Sequence, residues 1–302
     1  VRELTRKCFV NGIRIKNVQH LSKKNGRNAI VFQARTVGRS CVAAKKVVPV
    51  LTEVLRSGYY PDDSNRRIIN EEYHQYIFIQ EDRFKLLSGV ARMNKGKSHF
   101  NGDNFLISRL ECGKAIAAIA DGMGSGKRAY IESRMVIELM ENCIDAGFDE
   151  KASIDLINSA YIAGGGTGNP VTMDMSVIDC QSGYMHCMKL GAVSTFIRRD
   201  KWVEIIQSTT LPMGVLEQVD YDCTTKKLYD GDYIVMVSDG VLDNIPCVNK
   251  EERMAQMIHA LTIREPSAMA EKLLEQSLAY NDMKASDDCT VLVLGLFDTY
   301  EK

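Results

Sequence analysis

Ala115-Ile116-Ala117-Ala118-Ile119-Ala120-Asp121-Gly122-Met123-Gly124-Ser125-Gly126-Lys127 passes from an apolar strand, through one carboxylate, into a glycine-rich turn. Six apolar residues in a row fit a strand buried on both faces, and Asp121 stands where it ends. The same junction recurs along the chain. Asp103 lies in Asn101-Gly102-Asp103-Asn104, before the apolar run 105–107. Asp239 follows Tyr233-Ile234-Val235-Met236-Val237 and precedes Gly240, and Asp287-Asp288 introduce Cys289-Thr290-Val291-Leu292-Val293-Leu294. A single aspartate at a turn is usually a cap or a turn-former. A set of them at strand ends beside glycine can be held rigidly at the rim of a packed sheet. Convergence would make an oxygen-rich pocket for a hard cation such as Mg²⁺ or Mn²⁺. Two such ions clamp a phosphate and activate a water.

Gly124-Ser125-Gly126-Lys127 between strand and helix invites comparison with a nucleotide-binding P-loop. The P-loop needs a glycine five residues before its second glycine and Ser or Thr after the lysine. Asp121 and Arg128 occupy those places, so an ATPase is a weak alternative. Small residues after Asp121 suit the metal reading, because they let backbone carbonyls and phosphate come close.

The 302 residues, 45% hydrophobic and 25% charged, suffice for one large domain or two smaller ones. A net charge of −1 gives no support to a nucleic-acid ligand. Nine cysteines are scattered singly without a Cys-x-x-Cys, which fits buried reduced thiols in a cytoplasmic domain rather than zinc or disulfides. No apolar run reaches the roughly 18–20 residues of a membrane span, and no signal peptide is visible. The chain starts with Val1, so a fragment of a longer protein is expected, whose missing upstream part could carry a membrane anchor.

Along the chain, 8–20 and 28–36 read as strands around an Asn25-Gly26 hairpin turn. Residues 41–57 read as a helix with the stripe Val47, Val50, Leu51, Val54 and Leu55, in which Pro49 must kink the helix or shift its start. Strands at 73–80 and 84–91 lie on either side of a boundary near residue 82. Strands at 104–110 and 114–120 lead to a helix at 127–146, with Ile131, Met135, Leu139 and Ile144 on its expected apolar face, and a second helix capped by Asp149. A glycine-rich loop at 164–170 follows. Strands are expected at 171–179, 184–190, 193–199, 202–207, 219–227 and 232–238, helices at 250–262 and 266–280, and a last strand at 289–296. Many antiparallel strands with paired helices describe a sheet-rich α+β core under helical layers.

Gly102-Asp103, Asp121-Gly122-Met123-Gly124-Ser125-Gly126, Thr172-Met173-Asp174, Lys189-Leu190-Gly191-Ala192, Leu211-Pro212-Met213-Gly214, Ser238-Asp239-Gly240 and Asp287-Asp288-Cys289-Thr290-Val291 occur in an order that resembles PP2C-type metal-dependent serine/threonine phosphatases, and within them the stage II sporulation protein E branch. The likeness covers about residues 84–298. Residues 1–82, including Gln33-Ala34-Arg35-Thr36 and Glu72-Tyr73, resemble the regulatory and dimerising segment that precedes the phosphatase domain (83–302). The resemblance implies an α/β sandwich of two antiparallel sheets flanked by helices, with a small α/β segment before it. It implies two Mn²⁺ or Mg²⁺ ions, bridged by Asp121 with the Gly122 carbonyl as a further ligand. Asp239 and Asp287 would hold one ion and Asp103 the other, while Asp174, Asp243 and Asp288 are candidates for a third ion or for substrate positioning. Departures are Asn101 where Ser is usual and the glycine-rich stretch before Thr172.

Asp121 and Asp239 are then the catalytic pair, acting through an activated water with no protein nucleophile. Arg92, Lys95 or Lys97 are candidates to bind phosphate. The resemblance further implies a phosphorylated anti-anti-sigma factor as substrate, activation of a sporulation sigma factor, a homodimer, and control through the helices at 127–163. The competing expectation is a catalytically silent PP2C-like scaffold.

Overall fold

The computed structural model describes residues 1–22, 28–96, 98–110, 113–124, 126–163, 169–200 and 202–299. The Asn25-Gly26 turn, Cys112, Ser125, the stretch 164–168 and Lys97 lie outside them. The chain divides into two compact units, Val1–Arg83 and, in the main, Phe84–Leu110 with Lys114–Asp298.

The first unit is a four-stranded antiparallel sheet with two helices. Its elements are α1 (Arg2–Val10), β1 (Ile13–Ser22), β2 (Asn28–Thr36), β3 (Val42–Ala43), α2 (Val48–Leu55), β4 (Tyr59–Pro61), β5 (Ile68–Ile69) and β6 (His74–Gln80). The sheet order is β1-β2-β6-β4, and β3 pairs with β5. One sheet face supplies Ile13, Ile15, Phe32, Tyr76 and Phe78, which pack with Leu4 and Cys8 of α1 and Val50 and Leu51 of α2. Residues 8–10 are therefore helical, not the start of a strand. Their helix buries only Leu4 and Cys8, one turn apart, which is too faint a stripe to read. Pro49 shifts the start of α2: the segment opens with a 3₁₀ turn at Ala44–Val47, and the α-helix begins at Val48, where proline costs no hydrogen bond.

The second unit contains β7 (Phe84–Met93), β8 (Asp103–Arg109), β9 (Lys114–Gly122), α3 (Lys127–Asp145), α4 (Glu150–Ala163), β10 (Val171–Asp179), β11 (Tyr184–Leu190), β12 (Thr195–Arg199), β13 (Trp202–Ile206), β14 (Asp222–Lys227), β15 (Tyr233–Val237), α5 (Asp239–Asp243), α6 (Lys250–Ala260), α7 (Pro266–Leu278) and β16 (Cys289–Asp298). Two five-stranded sheets, β14-β11-β10-β9-β8 and β13-β12-β15-β16-β7, are antiparallel throughout.

Strand alternation explains the layers. In β9, Ile116, Ala118 and Ala120 face α3 and α4, whereas Ala117 and Ile119 face the other sheet. In β16, Val291 and Val293 face α6 and α7, while Leu292, Leu294 and Leu296 join the inter-sheet core. Strands covered on both faces read as unbroken apolar runs, and this is what the Ala115–Ala120 stretch shows.

One expected stripe is half right: Leu139 and Ile144 pack against the core. Ile131 and Met135 of α3 are exposed, and the buried face carries Ala129, Glu132, Ser133, Val136, Ile137, Met140 and Cys143. The cause is close approach: a Cβ on Gly122 would lie 2.4 Å from the Ala129 carbonyl oxygen, so the first turns of α3 admit only small residues against the sheet.

Candidate metal-binding active site

The strand-end aspartates gather at one end of the sandwich. Asp103 opens β8 and stands directly opposite Asp121 of β9. Asp121 in turn faces Thr172 of β10. From the other sheet, Asp239 begins α5 just after β15, and Asp287-Asp288 precede β16. Ser238 joins the last two ends: its backbone N–H donates to Thr290 O (3.0 Å), and its Oγ accepts from Thr290 N (2.9 Å). A Cβ on Gly240 would fall 2.1 Å from Asp288 O, so glycine is required where α5 meets the 287–288 segment.

Burial and mutual repulsion dominate the electrostatics. Asp103 is completely buried, and burial is the first cause that raises its pKa; the charges of Asp239 and Asp288 add to it. The Ser238 and Thr290 hydroxyls lie beside it and pull the value back. Neither Asp103 oxygen, however, has a hydrogen-bond partner of ordinary geometry. Asp121 is raised further, by burial and then by the charges of Asp103 and Asp239. Asp239 is raised by burial, opposed by the Gly240 amide. Three carboxyls thus crowd one another along a gradient from buried Asp103 through half-buried Asp121 to exposed Asp239.

The remaining candidates differ in setting. Asp288 is buried and acts as a latch: Oδ1 accepts from Lys95 N (2.8 Å) and Oδ2 from Gly102 N (2.7 Å). Asp287 is more open, 3.4 Å from Lys95 Nζ. Asn101 Oδ1 accepts from Asp103 N (2.9 Å), which fixes the turn before β8. Arg92 donates to the Asp103 carbonyl, and its guanidinium lies over Phe105. Asp243, at the far end of α5, pairs with Lys250 (2.7 Å). Asp174 is buried between the sheets against Lys189 (2.6 Å). Asp121, Thr172, Asp174, Ala192, Ser238 and Asp239 are among the residues lining a cavity of roughly 70 Å³.

The family model of stage II sporulation protein E (SpoIIE) matches residues 112–297. The chain belongs to that family. Stage II sporulation protein E of Bacillus subtilis (strain 168) is 29% identical over 286 residues, covering 94% of this chain and 34% of the relative. The chain thus spans about a third of that relative's length. A solved structure of the PP2C phosphatase domain with a fragment of the regulatory domain of SpoIIE from Bacillus subtilis aligns with a TM-score of 0.76 and 27% identity, over 99% of this chain and 87% of the other. RsbX in complex with magnesium shares the fold at 20% identity and a TM-score of 0.55, over 70% of this chain and 95% of its own. The SpoIIE fold here is the PP2C type, and the family is one of protein serine phosphatases.

For a SpoIIE-family chain, the donor set fits hard divalent cations. Asp103 has two buried oxygens without partners, and Asp121 and Asp239 crowd beside it with no arginine or lysine paired to any of these three carboxylates among the described residues. As the side chains stand, no three His, Cys, Asp or Glu among the described residues are arranged to hold one ion. Closing these carboxylates round one ion brings like charges closer still, and a cation is what would offset that repulsion. Sequence reading overlooked Lys189 and Thr195 as neighbours of Asp174, and Ser238 and Thr290 as neighbours of Asp103. The one available signal was a lysine inside an otherwise apolar strand, Tyr184–Leu190.

Proposed function

We propose that this chain is a divalent-cation-dependent protein serine phosphatase, with Asp103, Asp121, the Gly122 carbonyl, Asp239 and Asp287 as the ligands of two Mn²⁺ or Mg²⁺ ions. The meeting of Asp103, Asp121 and Asp239 from both sheets in one cluster, running from buried Asp103 to exposed Asp239 at the rim, is the observation that carries the reading. When bound, the ions supply Lewis acidity that activates a water and neutralises phosphoryl charge.

The chain's own groups do the rest. Asp103 and Asp121 face each other across the β8–β9 pair, so their spacing is fixed by backbone register. Asp239 is held by α5 and by the close contact of Gly240 with the 287–288 segment. Asp288 ties the loop before Asp103 to the start of β16 and serves as a positioning group rather than a ligand. Lys95, near Asp287, offers a cation to an approaching phosphate. No protein nucleophile takes part.

The substrate class is a phosphoserine on a regulatory protein, and the SpoIIE relationship supports a phosphorylated anti-anti-sigma factor. Residues 1–83 are proposed as a regulatory segment, because the aligned SpoIIE structure includes a fragment of a regulatory domain. A homodimer belongs to the same proposal.

The deciding experiment is hydrolysis of a phosphoserine protein with Mn²⁺, with Mg²⁺ and with EDTA. Turnover that requires the cation and falls more than about 100-fold in Asp121→Asn is expected, since even groups that only orient ligands are worth 10–100-fold. Mn²⁺ binding without turnover on any phosphoserine substrate would leave the silent scaffold as the better reading.

A further inference from the structure

Asp174 lies one step behind the carboxylate cluster. Asp121 is registered with Thr172, and two residues further along both strands Ile119 is registered with Asp174. Side chains two apart on a strand share a face, about 6.6 Å apart. Asp174 thus points into the same inter-sheet space as Asp121, and both line the same cavity as Asp239.

What neutralises this carboxylate is a lysine with 1% of its surface exposed. The Lys189 ammonium donates to Asp174 Oδ2 (2.6 Å), to the Val193 carbonyl (2.6 Å) and to Thr195 Oγ1 (2.7 Å). Its three donors thus meet three oxygens: a carboxylate, a backbone carbonyl and a hydroxyl. That set is the one used for a hard metal ion. The Thr195 hydroxyl also donates to Asp174 Oδ2, while among the described residues Oδ1 faces the Cys187 thiol, at 3.8 Å, which burial keeps neutral by pushing its pKa up to about 12. The oxygen cage and the second carboxylate oxygen together form a cation site in which the cation is covalently supplied by the chain.

We infer that Lys189 acts as a built-in substitute for a third divalent ion beside the catalytic pair, and that removing its charge opens a true divalent-cation site made of Asp174, Thr195 and the Val193 carbonyl. The inference rests on the two-ion reading of the neighbouring cluster. It also assigns Asp174 a duty in the native enzyme: it holds Lys189, and through it the 193–195 segment that forms part of the cavity wall, instead of binding metal. Lys189 is a positioning residue in this scheme. Without its ammonium, Asp174 has two ways to avoid a buried bare charge, protonation or capture of a cation. The preformed oxygens favour capture.

The test is a Mn²⁺ titration of the full chain, followed by calorimetry and by electron paramagnetic resonance. The wild-type stoichiometry measures the two-ion reading. The difference between wild type and Lys189→Met measures the present inference, so the two can fail separately. Lys189→Met is expected to bind one Mn²⁺ more than wild type, and Lys189→Met with Asp174→Asn is expected to return to the wild-type number. An unchanged stoichiometry in folded Lys189→Met overturns the inference. If that variant is too unstable to titrate, the unfolding midpoint of Lys189→Ala is read instead. Recovery by Mn²⁺ or methylammonium, and none by choline, supports an empty cation cage. No recovery by either counts against it.

Discussion

Asp287 and Asp288 are adjacent in sequence but have different physical settings. Asp288 is buried and accepts two backbone N–H groups, those of Lys95 and Gly102, whereas Asp287 is partly open to solvent. Asp288→Ala leaves both amides without a partner, at about 1–3 kcal/mol each. Its denaturation midpoint should fall by the equivalent of several kcal/mol even in EDTA. Asp287→Ala removes the acceptor of a single amide, that of Asp288 (2.9 Å), so it should cost less metal-free stability than Asp288→Ala and should weaken Mn²⁺ binding. Acid titration carries a second prediction. Burial and neighbouring charge raise Asp103 and Asp121 above the ordinary 3.8. A carboxyl with a raised folded pKa binds more protons folded than unfolded, so metal-free stability is greatest below 3.8 for these groups and declines as pH rises above it. Thermal midpoints in EDTA should therefore bear a destabilising contribution between about pH 5 and pH 8 that Asp121→Asn removes. Saturating Mn²⁺, which binds the deprotonated form, should reverse its sign. At this scale the sequence was informative about the aspartates, since each stands at a strand end beside a turn. It marked Lys189 only as a lysine in a strand and gave no hint of its partners, which come from β10 and the 193–195 segment and meet it through the fold.

Strands were easier to read than helices, and α3 shows why. Ile131 and Met135 looked like its core face, yet the side against the sheet carries Ala129 and Ser133. Periodicity detects bulk, and where a helix lies against glycine the buried residues are small. The Ser133 hydroxyl donates its one proton to the Gly102 carbonyl, with Ala129 O as a shared or alternative acceptor (2.9 Å), and it accepts from Asn104 Nδ2 (2.8 Å), so α3 is fastened to the strand that carries Asp103. Ser133→Ala removes that fastening inside a fully buried contact and leaves the Asn104 amide with only the Tyr130 carbonyl. A loss of about 1–3 kcal/mol is expected in chemical denaturation. If α3 controls how the cluster is assembled, the apparent Mn²⁺ affinity should fall as well, while Ser159→Ala, on the exposed side of α4, changes neither. The short helix α5 escaped notice for a different reason. Five residues cannot show a period, and Asp239-Gly240 reads as a turn until the contact between Gly240 and Asp288 is known.

The net charge of −1 conceals two opposite totals. Residues 1–83 hold sixteen Lys and Arg against eight Asp and Glu, and residues 84–302 hold twenty-two against thirty-one. Charge therefore disfavours a nucleic-acid ligand for the second part of the chain and not for the first. The second part also owns its cores: the clusters under α3 and α4, under α6 and α7, and between the sheets draw all their residues from 84–298. A chain of residues 84–302 should accordingly fold by itself, unfold in one cooperative step and bind as many Mn²⁺ ions as the full chain, because no candidate ligand precedes residue 84. Loss of a +8 segment should also move its elution on an anion exchanger to higher salt. If residues 1–83 regulate, the two proteins will share metal stoichiometry but differ in turnover or in oligomeric state. Equal turnover and equal mass in solution, at equal Mn²⁺ occupancy, would remove regulation from the account and leave the catalytic reading of the carboxylate cluster standing, because every proposed metal ligand lies within residues 84–302.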